Sequence, residues 1–323
     1  MAAAETPPLI RRLLRIVEHP VFRVAVPILI AMIAIFVLHK LVSQVRWVDV
    51  KADLAAASGT TLLKALVCTL FSFAGIACYD ALAVRSAAPG KVPIAIAALT
   101  GAAGYAISGL LGISYLTGTA VRFRVYSAFD LDLVQFAGVI AISWSGFLAG
   151  LLAVLGGLLA CNPNGLSTML PIAPRVAEGV GSLVLFLMAA SLVWLATGSR
   201  RLKAGAFRIS LPDAATGIAL TCAGVVDLTG AAATLHVLMP ADAVQNLPYF
   251  AALFFAAAGL GLISHSPGGL GVFEATIIAG LGAAGRSDVL AALLLYRMIY
   301  TILPFLIAVA GLGGNLAWRA GGS

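Results

Sequence analysis

Long apolar runs without charged residues follow one another along most of the chain, and they limit its fold more than any other feature. One of them, PIAIAALTGAAGYAISGLLGISYLTG (93–118), has 26 residues without a single Asp, Glu, Lys or Arg. Of 323 residues, 61% are hydrophobic and 10% are charged, and the mean hydropathy is +1.05. Because roughly 20 apolar helical residues cross a bilayer, the sequence predicts an all-α polytopic membrane protein.

The apolar runs divide into six predicted full spans and two longer stretches that glycines interrupt. The stretches are 93–118 and 249–285, and the spans are 24–42, 60–84, 133–160, 177–197, 212–236 and 289–311. Residues 1–23 form a basic amphipathic segment that we expect to lie in the cytoplasmic interface. No small-residue cleavage site follows it, so we predict an uncleaved first span and one transmembrane domain over 24–318.

The distribution of Lys and Arg predicts which stretches cross the membrane. If every stretch crossed once from a cytoplasmic N-terminus, the basic residues of 200–208 would lie outside, against the positive-inside rule. If 93–118 instead enters and leaves on one side, thirteen of the 20 basic residues lie inside and six lie outside. We therefore predict two re-entrant helical hairpins, and we predict that both termini are cytoplasmic.

An internal repeat supports this arrangement. A shift of 150 residues aligns GLLGISYLTGTAVRFR (109–124) with GLGLISHSPGGLGVFE (259–274) at six identical positions, and the spans before them end in Asp80 and Asp227. We predict two inverted copies of span, hairpin and span, over about 60–160 and 212–311. Transporters with inverted repeats bind their substrates where the repeats meet.

The stretch SHSPGGLGVFE (264–274) places polar residues and glycines at membrane depth. Irregular backbone survives there only when protein surrounds it or when it lines a wet cavity. We predict a hairpin tip where Ser266, Gly268, Gly269 and the next half-helix approach a lipid headgroup; the alternative is a loop packed for structure alone. His265 either binds phosphate or carries a proton, or it is simply hydrogen-bonded, and no metal-ligand spacing surrounds it.

Of the charged residues inside predicted membrane segments, four are the most costly. These are Asp80, Asp227, Glu274 and Arg297. A charge at the centre of a membrane helix disfavours insertion by roughly 2.5–3.5 kcal/mol, so each should face protein or water and have a partner. They are candidate substrate-binding residues, although Arg297 could serve only to neutralise Glu274 or Asp227.

Arg122 and Arg124 follow the first predicted tip, with Tyr126 beyond them. As candidate phosphate clamps, they would use the forked geometry of guanidinium. As the alternative, they anchor the chain at the headgroup level. The repeat alignment pairs Arg124 with Glu274, so a zwitterionic headgroup would place its phosphate at Arg124 and its ammonium at Glu274, with help from the intramembrane aspartates.

Four motifs in order resemble a known family. They are CYDALAVR (78–85), GTAVRFRVYSAFDLD (118–132), SHSPGGLGVFE (264–274) and LLLYRMIYTILP (293–304). Over essentially the whole chain, the sequence resembles the membrane flippase region of the lysylphosphatidylglycerol synthase/flippase family, also called multiple peptide resistance factor. In that family the membrane region moves aminoacylated phosphatidylglycerol across the bacterial inner membrane. A separate cytosolic acyltransferase domain attaches the amino acid, and we expect no such domain in this chain, which stops at Ser323.

The resemblance implies a lipid flippase-like protein of the inner membrane, with a role in antimicrobial peptide resistance. Its partner would be phosphatidylglycerol, its aminoacyl ester or a related polar lipid, and a lipid-modifying enzyme is a second possible partner. Two alternatives remain: a membrane component of lysylphosphatidylglycerol synthesis, and a non-catalytic partner of a lipid enzyme. The sequence has no G-x-x-x-x-G-K-[ST] motif, so we expect no cofactor and no direct use of ATP.

Other sequence features agree with a membrane protein. The net charge of +7 does not indicate nucleic-acid binding, because the basic residues flank apolar segments. The four cysteines are scattered inside apolar runs, as expected for small buried hydrophobes. The GFLAG motif at 146–150 predicts close helix packing.

Overall fold

The computed structural model describes residues 47–111, 114–163, 173–198, 201–204, 207–210, 212–264 and 266–311. The predicted interfacial segment 1–23, the first predicted span 24–42 and His265 lie outside these residues. The assignment of 24–318 to one domain, which depends on these segments, stays a prediction.

The described ranges are helical apart from short connections and one small hairpin of strands. The strands are β1 (Arg201–Ala204) and β2 (Phe207–Ser210), which pair antiparallel with Arg201 opposite Ser210. The helices are α1 (Trp47–Ala56), α2 (Gly59–Ala87), α3 (Ile94–Leu111), α4 (Ser114–Tyr126), α5 (Leu133–Cys161), α6 (Pro174–Ala196), α7 (Ala214–Leu238), α8 (Leu247–Ile263), α9 (Val272–Gly280) and α10 (Ser287–Gly311). Short 3-10 turns occupy Ser127–Phe129 and Pro267–Gly269, and a π-helical turn, Arg297–Ile302, interrupts α10.

Five of the described helices are long and apolar enough to cross a membrane: α2, α5, α6, α7 and α10. They coincide, within a few residues at each end, with five of the six predicted full spans. The helices α4 and α9 have 13 and 9 residues, and at 1.5 Å per residue they are too short to cross. The prediction of an all-α polytopic membrane protein is confirmed.

Polar N-caps determine where several of these helices begin. Ser58 accepts a hydrogen bond from Thr61 N ahead of α2. Asp132 and Gln135 form a reciprocal capping box at the start of α5, and Asp213 caps α7 through Thr216 N. Each cap satisfies a backbone N–H that would otherwise lack a partner at the helix end.

The helices α2 and α7 cross in opposite directions at the centre of the molecule. Thr69 lies against Thr234, whereas further along α2 a Cβ on Gly75 would lie 2.8 Å from the nitrogen of Asp227. A Cβ on Gly230 would lie 2.8 Å from Ser72 N. These small residues let the two backbones approach closely, and their order shows that the repeats begin with antiparallel helices.

The predicted packing role of the GFLAG motif is confirmed. A Cβ on Gly146 would lie 2.8 Å from Tyr79 and 2.9 Å from Leu220, and Gly150 touches the backbone of Gly224. The successive contacts with Leu220 and Gly224 make α5 parallel to α7. Since a Cβ on Gly138 would lie 3.2 Å from Ala87, α5 is antiparallel to α2.

These directions make both hairpins re-entrant. We call the end of the bundle where α2 ends and α5 begins the first end. The α3–α4 hairpin therefore leaves and returns at the first end. At the opposite, second end, the ion pair between Asp242 and Arg286 joins the chain after α7 to the chain before α10, so the α8–α9 hairpin leaves and returns there. The two repeats are inverted, as predicted.

The strand hairpin lies at the first end as well. Gly181 on α6 packs against Ala160, near the end of α5, and Gly156 packs against Val184, so α6 is antiparallel to α5 and ends at the first end. The basic residues of the strand hairpin are therefore at the same end of the bundle as Arg85. This is the relative placement that the distribution of Lys and Arg predicted.

Candidate functional site

The tips of the two re-entrant hairpins meet in the interior of the protein. Gly268 forms the second tip with φ of +60°, and a Cβ there would lie 3.1 Å from the carbonyl oxygen of Gly109 at the end of α3. Gly269, with φ of +66°, packs against Gly261 of its own hairpin at a similar distance. Glycine is favoured here because L side chains rarely adopt these angles and because a Cβ would press on the neighbouring backbone.

The first hairpin is tied to α2 by a buried ion pair between Arg122 and Asp80. Arg122 Nε donates to Asp80 Oδ1 at 2.8 Å, and Nη2 donates to Oδ2 at 2.6 Å. Tyr126 OH donates to the same Oδ1 at 3.3 Å. Asp80 is fully buried, and a Cβ on Gly101 would overlap its carboxylate. The forked geometry satisfies both carboxylate oxygens in a space that excludes water.

The second hairpin is tied to α10 by an ion pair between Glu274 and Arg297. Arg297 Nε donates to Glu274 Oε1 at 2.6 Å, and Gly271 N donates to Oε2 at 2.9 Å. Arg297 Nη1 donates to the carbonyl oxygen of Gly268 at the tip. The guanidinium carbon lies 5.3 Å from the ring centre of Phe273. Arg297 therefore holds both the tip and the half-helix that follows it.

One donor of this arginine lacks a partner within the described part of the chain. Arg297 Nη2 is buried and makes no hydrogen bond there. A buried, unsatisfied donor on a charged group is costly, and guanidinium is suited to phosphate. An anion placed beside Nη2 would supply the partner that this donor lacks among the described residues.

Asp227 lies between the hairpins and is held by hydroxyl groups. Ser72 Oγ donates to Oδ1 at 2.8 Å, and Tyr79 OH donates to Oδ2 at 3.1 Å. Ser72 is also hydrogen-bonded to Tyr300 OH at 2.7 Å. Among the described residues, no Lys or Arg forms an ion pair with Asp227, in contrast with Asp80 and Glu274.

An aromatic stack connects this hydroxyl network with the second hairpin. Tyr300 stacks on Tyr296 with ring centres 5.1 Å apart, and Tyr296 stacks on Phe273 at 5.6 Å. Tyr300 and Arg297 both belong to the π-helical turn of α10. Turns of this kind occur frequently at functional sites, and here the turn brings both side chains to the junction of the repeats.

The remaining predicted site residues lie further from the junction or outside the described ranges. Arg124 is exposed on α4, and the ion pairs of the described residues do not include it. Ser266 is buried and hydrogen-bonded to Ser264 Oγ at 2.9 Å. His265 falls outside the described ranges, and the roles of all these residues stay predictions.

Sequence reasoning missed the hydroxyl network of Ser72, Tyr79 and Tyr300. The only signal was the spacing of Tyr296 and Tyr300 by one helical turn in LLLYRMIYTILP, a motif that we used only for its resemblance. Apolar helices contain many such hydroxyls, and the sequence does not show which of them face a carboxylate.

An ion cluster closes the second hairpin at its base. Arg286 Nη1 lies 2.8 Å from Asp242 Oδ2, and Nη2 lies 2.5 Å from Asp288 Oδ2. The hydrogen bond from Arg286 holds the pKa of Asp242 below its ordinary value of 3.8. Because Asp242 is exposed, solvent screens this interaction, and the cluster stabilises the base of the hairpin only weakly.

Comparison with known proteins places the chain in a family. No protein-family model matches it. It is 30% identical over 270 residues to uncharacterized protein slr0712 of Synechocystis sp., an alignment that covers 83% of each chain. The chain belongs to the slr0712 family. Inner membrane protein YbhN of Escherichia coli is 25% identical over 302 residues, which cover 90% of this chain and 92% of YbhN.

Phosphatidylglycerol lysyltransferases match a smaller region. The Staphylococcus aureus enzyme is 29% identical over 213 residues, 63% of this chain and 23% of the enzyme. The Staphylococcus epidermidis enzyme is 34% identical over 96 residues, 29% of this chain and 11% of the enzyme. These relatives agree in part with the family resemblance of the motifs, and this member of the slr0712 family aligns with only a fraction of each enzyme.

Proposed function

We propose that this member of the slr0712 family translocates a phospholipid, phosphatidylglycerol or its aminoacyl ester, between the leaflets of a bacterial inner membrane. The observation that carries the proposal is the contact of the second tip, at Gly268, with Gly109 of the first hairpin. Beside this contact lies Arg297, whose buried Nη2 has no hydrogen-bond partner among the described residues. Each hairpin enters from a different end, so opening one tip at a time would expose the junction to one side and then the other. Partial similarity to phosphatidylglycerol lysyltransferases supports a phospholipid substrate.

The headgroup phosphate would bind at Arg297 Nη2. Arg297 already neutralises Glu274, and a phosphate would add the partner that Nη2 lacks. An ammonium on the headgroup, as in an aminoacyl ester, would then have Glu274 nearby as its counter-charge. Both headgroup charges would have a partner in a low-dielectric interior. The first hairpin contributes its backbone at Gly109, while Arg122 is occupied by Asp80.

The test is a leaflet-resolved transport assay with the full chain in vesicles. Fluorescent phosphatidylglycerol on one leaflet should become accessible to a membrane-impermeant quencher on the other. Arg297→Lys keeps the charge but loses the planar fork, and it should slow this movement by roughly tenfold, or about 1.4 kcal/mol of barrier. Arg175→Lys, at an exposed position near the start of α6, is the matched control. Equal rates for both variants would contradict the proposed phosphate site.

We also propose that the first end of the bundle is cytoplasmic. The concentration of basic residues near α4 and the strand hairpin supports this orientation. A single cysteine beside Lys203 should then be protected from an impermeant external reagent in cells, and one beside Arg175 should react. The reverse labelling pattern would contradict the proposed orientation without affecting the proposed transport.

The names of the partial relatives favour an alternative role, in which the chain is a membrane component of lysylphosphatidylglycerol synthesis. Expression of the chain in a host without aminoacylated lipids distinguishes the two. We expect an unchanged lipid profile. Appearance of lysylphosphatidylglycerol would favour synthesis over translocation.

A further inference from the structure

Asp227 differs from the other buried carboxylates of the described membrane segments in having only hydroxyl partners. Asp80 and Glu274 each have an arginine, whereas Asp227, 2% exposed, has Ser72 and Tyr79. The phenol of Tyr79 contacts it directly, and that of Tyr300 reaches it through Ser72. The phenols of Tyr105 and Tyr296 are near enough to interact with it electrostatically. The helix α5, which also packs against α7, has no charged residue. A buried carboxylate without a cation carries a desolvation cost that a bound proton removes.

Counting donors gives the hydroxyl network a direction. Ser72 has one hydroxyl hydrogen and donates it to Asp227. Its hydrogen bond with Tyr300 must then be donated by Tyr300, because each hydroxyl has one donor. The relay therefore runs from Tyr300 through Ser72 to Asp227.

The relay lies inside the protein, where the two repeats pack together. Tyr300 and Ser72 are buried. Phe73 packs edge-on against the Tyr300 ring, with ring centres 5.7 Å apart. The relay joins α2 of the first repeat to α7 and α10 of the second repeat.

We propose that Asp227 is a proton-binding site, loaded through Tyr300 and Ser72. When the junction opens to water, a hydronium ion gives a proton to the phenol oxygen of Tyr300 as the Tyr300 proton moves to Ser72. The Ser72 proton moves to Asp227. Each hydroxyl ends with one hydrogen, one new O–H bond forms on the carboxyl group, and every hydrogen bond of the relay then points outward.

Protonation changes the junction because the relay and the second tip share the π-helical turn. Tyr300 reverses its hydrogen bonds three residues from Arg297, whose guanidinium holds Gly268. This coupling rests on the proposed function. A lipid with one positive charge moving outward works against about 2.3 kcal/mol per 100 mV. The inward return of one proton through Asp227 makes the exchange electroneutral.

Infrared difference spectroscopy on the full chain in vesicles tests the proton site without any transport. Acidification should produce the carbonyl stretching band of a protonated carboxyl group, and Asp227→Asn should abolish that band. Asp213→Asn is the matched control, since it makes the same change at the exposed N-cap of the same helix. A band that persists in Asp227→Asn would overturn the proposal.

Tyr300→Phe tests the relay in a variant that keeps its aromatic packing. The band should still form, but at least about tenfold more slowly after a pH jump, because Ser72 then lacks the hydroxyl that passes it a proton. An unchanged rate would overturn the assigned route. This arm also covers the case in which Asp227→Asn fails to fold.

Lipid movement under imposed gradients tests the coupling. A gradient acidic at the second end should accelerate cationic lipid movement in the wild type and leave Asp227→Asn without any stimulation. Equal stimulation of both, or stimulation by a sodium gradient alone, would overturn the coupling. If no lipid moves in any vesicle, the proposed translocation fails, while the infrared result still decides whether Asp227 binds a proton.

Discussion

Each re-entrant hairpin forms a buried ion pair with a neighbouring span. In the first hairpin the arginine belongs to the hairpin and the carboxylate to the span, whereas in the second hairpin the carboxylate belongs to the hairpin and the arginine to the span. Arg122 of α4 pairs with Asp80 of α2, whereas Glu274 of α9 pairs with Arg297 of α10. In both cases a short half-helix that cannot cross the membrane is held to a full span by a buried ion pair. The inverted repeats thus preserve the attachment but not its polarity.

The two pairs also differ in how completely they are satisfied. Arg122 places two nitrogens on one carboxylate, and Tyr126 adds a further hydrogen bond. Arg297 uses one nitrogen for Glu274 and one for the tip, and its third nitrogen stays without a partner among the described residues. This difference suggests that the first pair anchors the structure, and that the second pair binds the substrate and changes its contacts during transport.

The largest effect should come from breaking the first pair. Arg122→Ala would leave the fully buried Asp80 without its cation, at a cost of about 3–5 kcal/mol in stability. A lower thermal unfolding temperature in detergent and a lower protein level in the membrane would report it. Arg124→Ala, two residues along the same helix and exposed, is the control. The double variant Asp80→Asn/Arg122→Gln should recover stability, and a failure to recover would argue against an anchoring role.

Glu274→Gln should instead affect movement more than stability. Glutamine can still accept the hydrogen bond from Gly271 N, but it removes the charge that Arg297 neutralises. Loss of a charge-assisted hydrogen bond costs about 1.5–3 kcal/mol, so cationic lipid translocation should fall roughly tenfold or more. Protein level should stay near normal. Normal transport by this variant would make the glutamate a structural partner of Arg297.

Gly268→Ala tests whether contact between the tips matters apart from backbone strain. A left-handed alanine costs roughly 1–2 kcal/mol, and its Cβ would press on the carbonyl of Gly109. Gly282→Ala is the control, because it has φ of +62° and no atom within 4 Å of the added Cβ. Both variants should unfold at a lower temperature, and only Gly268→Ala should alter transport. Equal transport rates in the two variants would show that contact between the tips plays no part in the transport mechanism.

The smallest effect should come from the ion cluster at the base of the second hairpin. The hydrogen bond from Arg286 lowers the pKa of Asp242 below its ordinary value of 3.8. The ion pair therefore stabilises the fold fully at pH values above 3.8, and this stabilisation is lost as the pH falls through the lowered pKa. Asp242→Asn should slightly reduce the unfolding temperature at neutral pH and have no effect in strong acid. An effect that does not vary with pH would show that the ion pair is not its cause.

The sequence by itself determined the membrane class, the positions of five spans and the presence of two re-entrant hairpins. Each of these properties depends on residues that are close together in the sequence. They are the length of an apolar run relative to the bilayer thickness, the glycines and prolines within the run, and the number of basic residues in each connection. The stretch 93–118 is long enough to cross, and only the charge of the later connection at 200–208 indicated that it turns back. Antiparallel packing of α2 on α7 then agreed with that inference.

Only the tertiary structure decided which charged residues meet. The repeat alignment paired Arg124 with Glu274, yet Arg122 faces Asp80 and Arg297 faces Glu274. Arg122 and Arg124 are two residues apart, and two residues on a helix turn a side chain by about 200°. Asp80 and Asp227 end similar spans in the sequence, but one has an arginine and the other has hydroxyls. The reason is that a buried charge takes whichever partner the neighbouring helix presents within about 3 Å, and that neighbour comes from packing between distant parts of the chain.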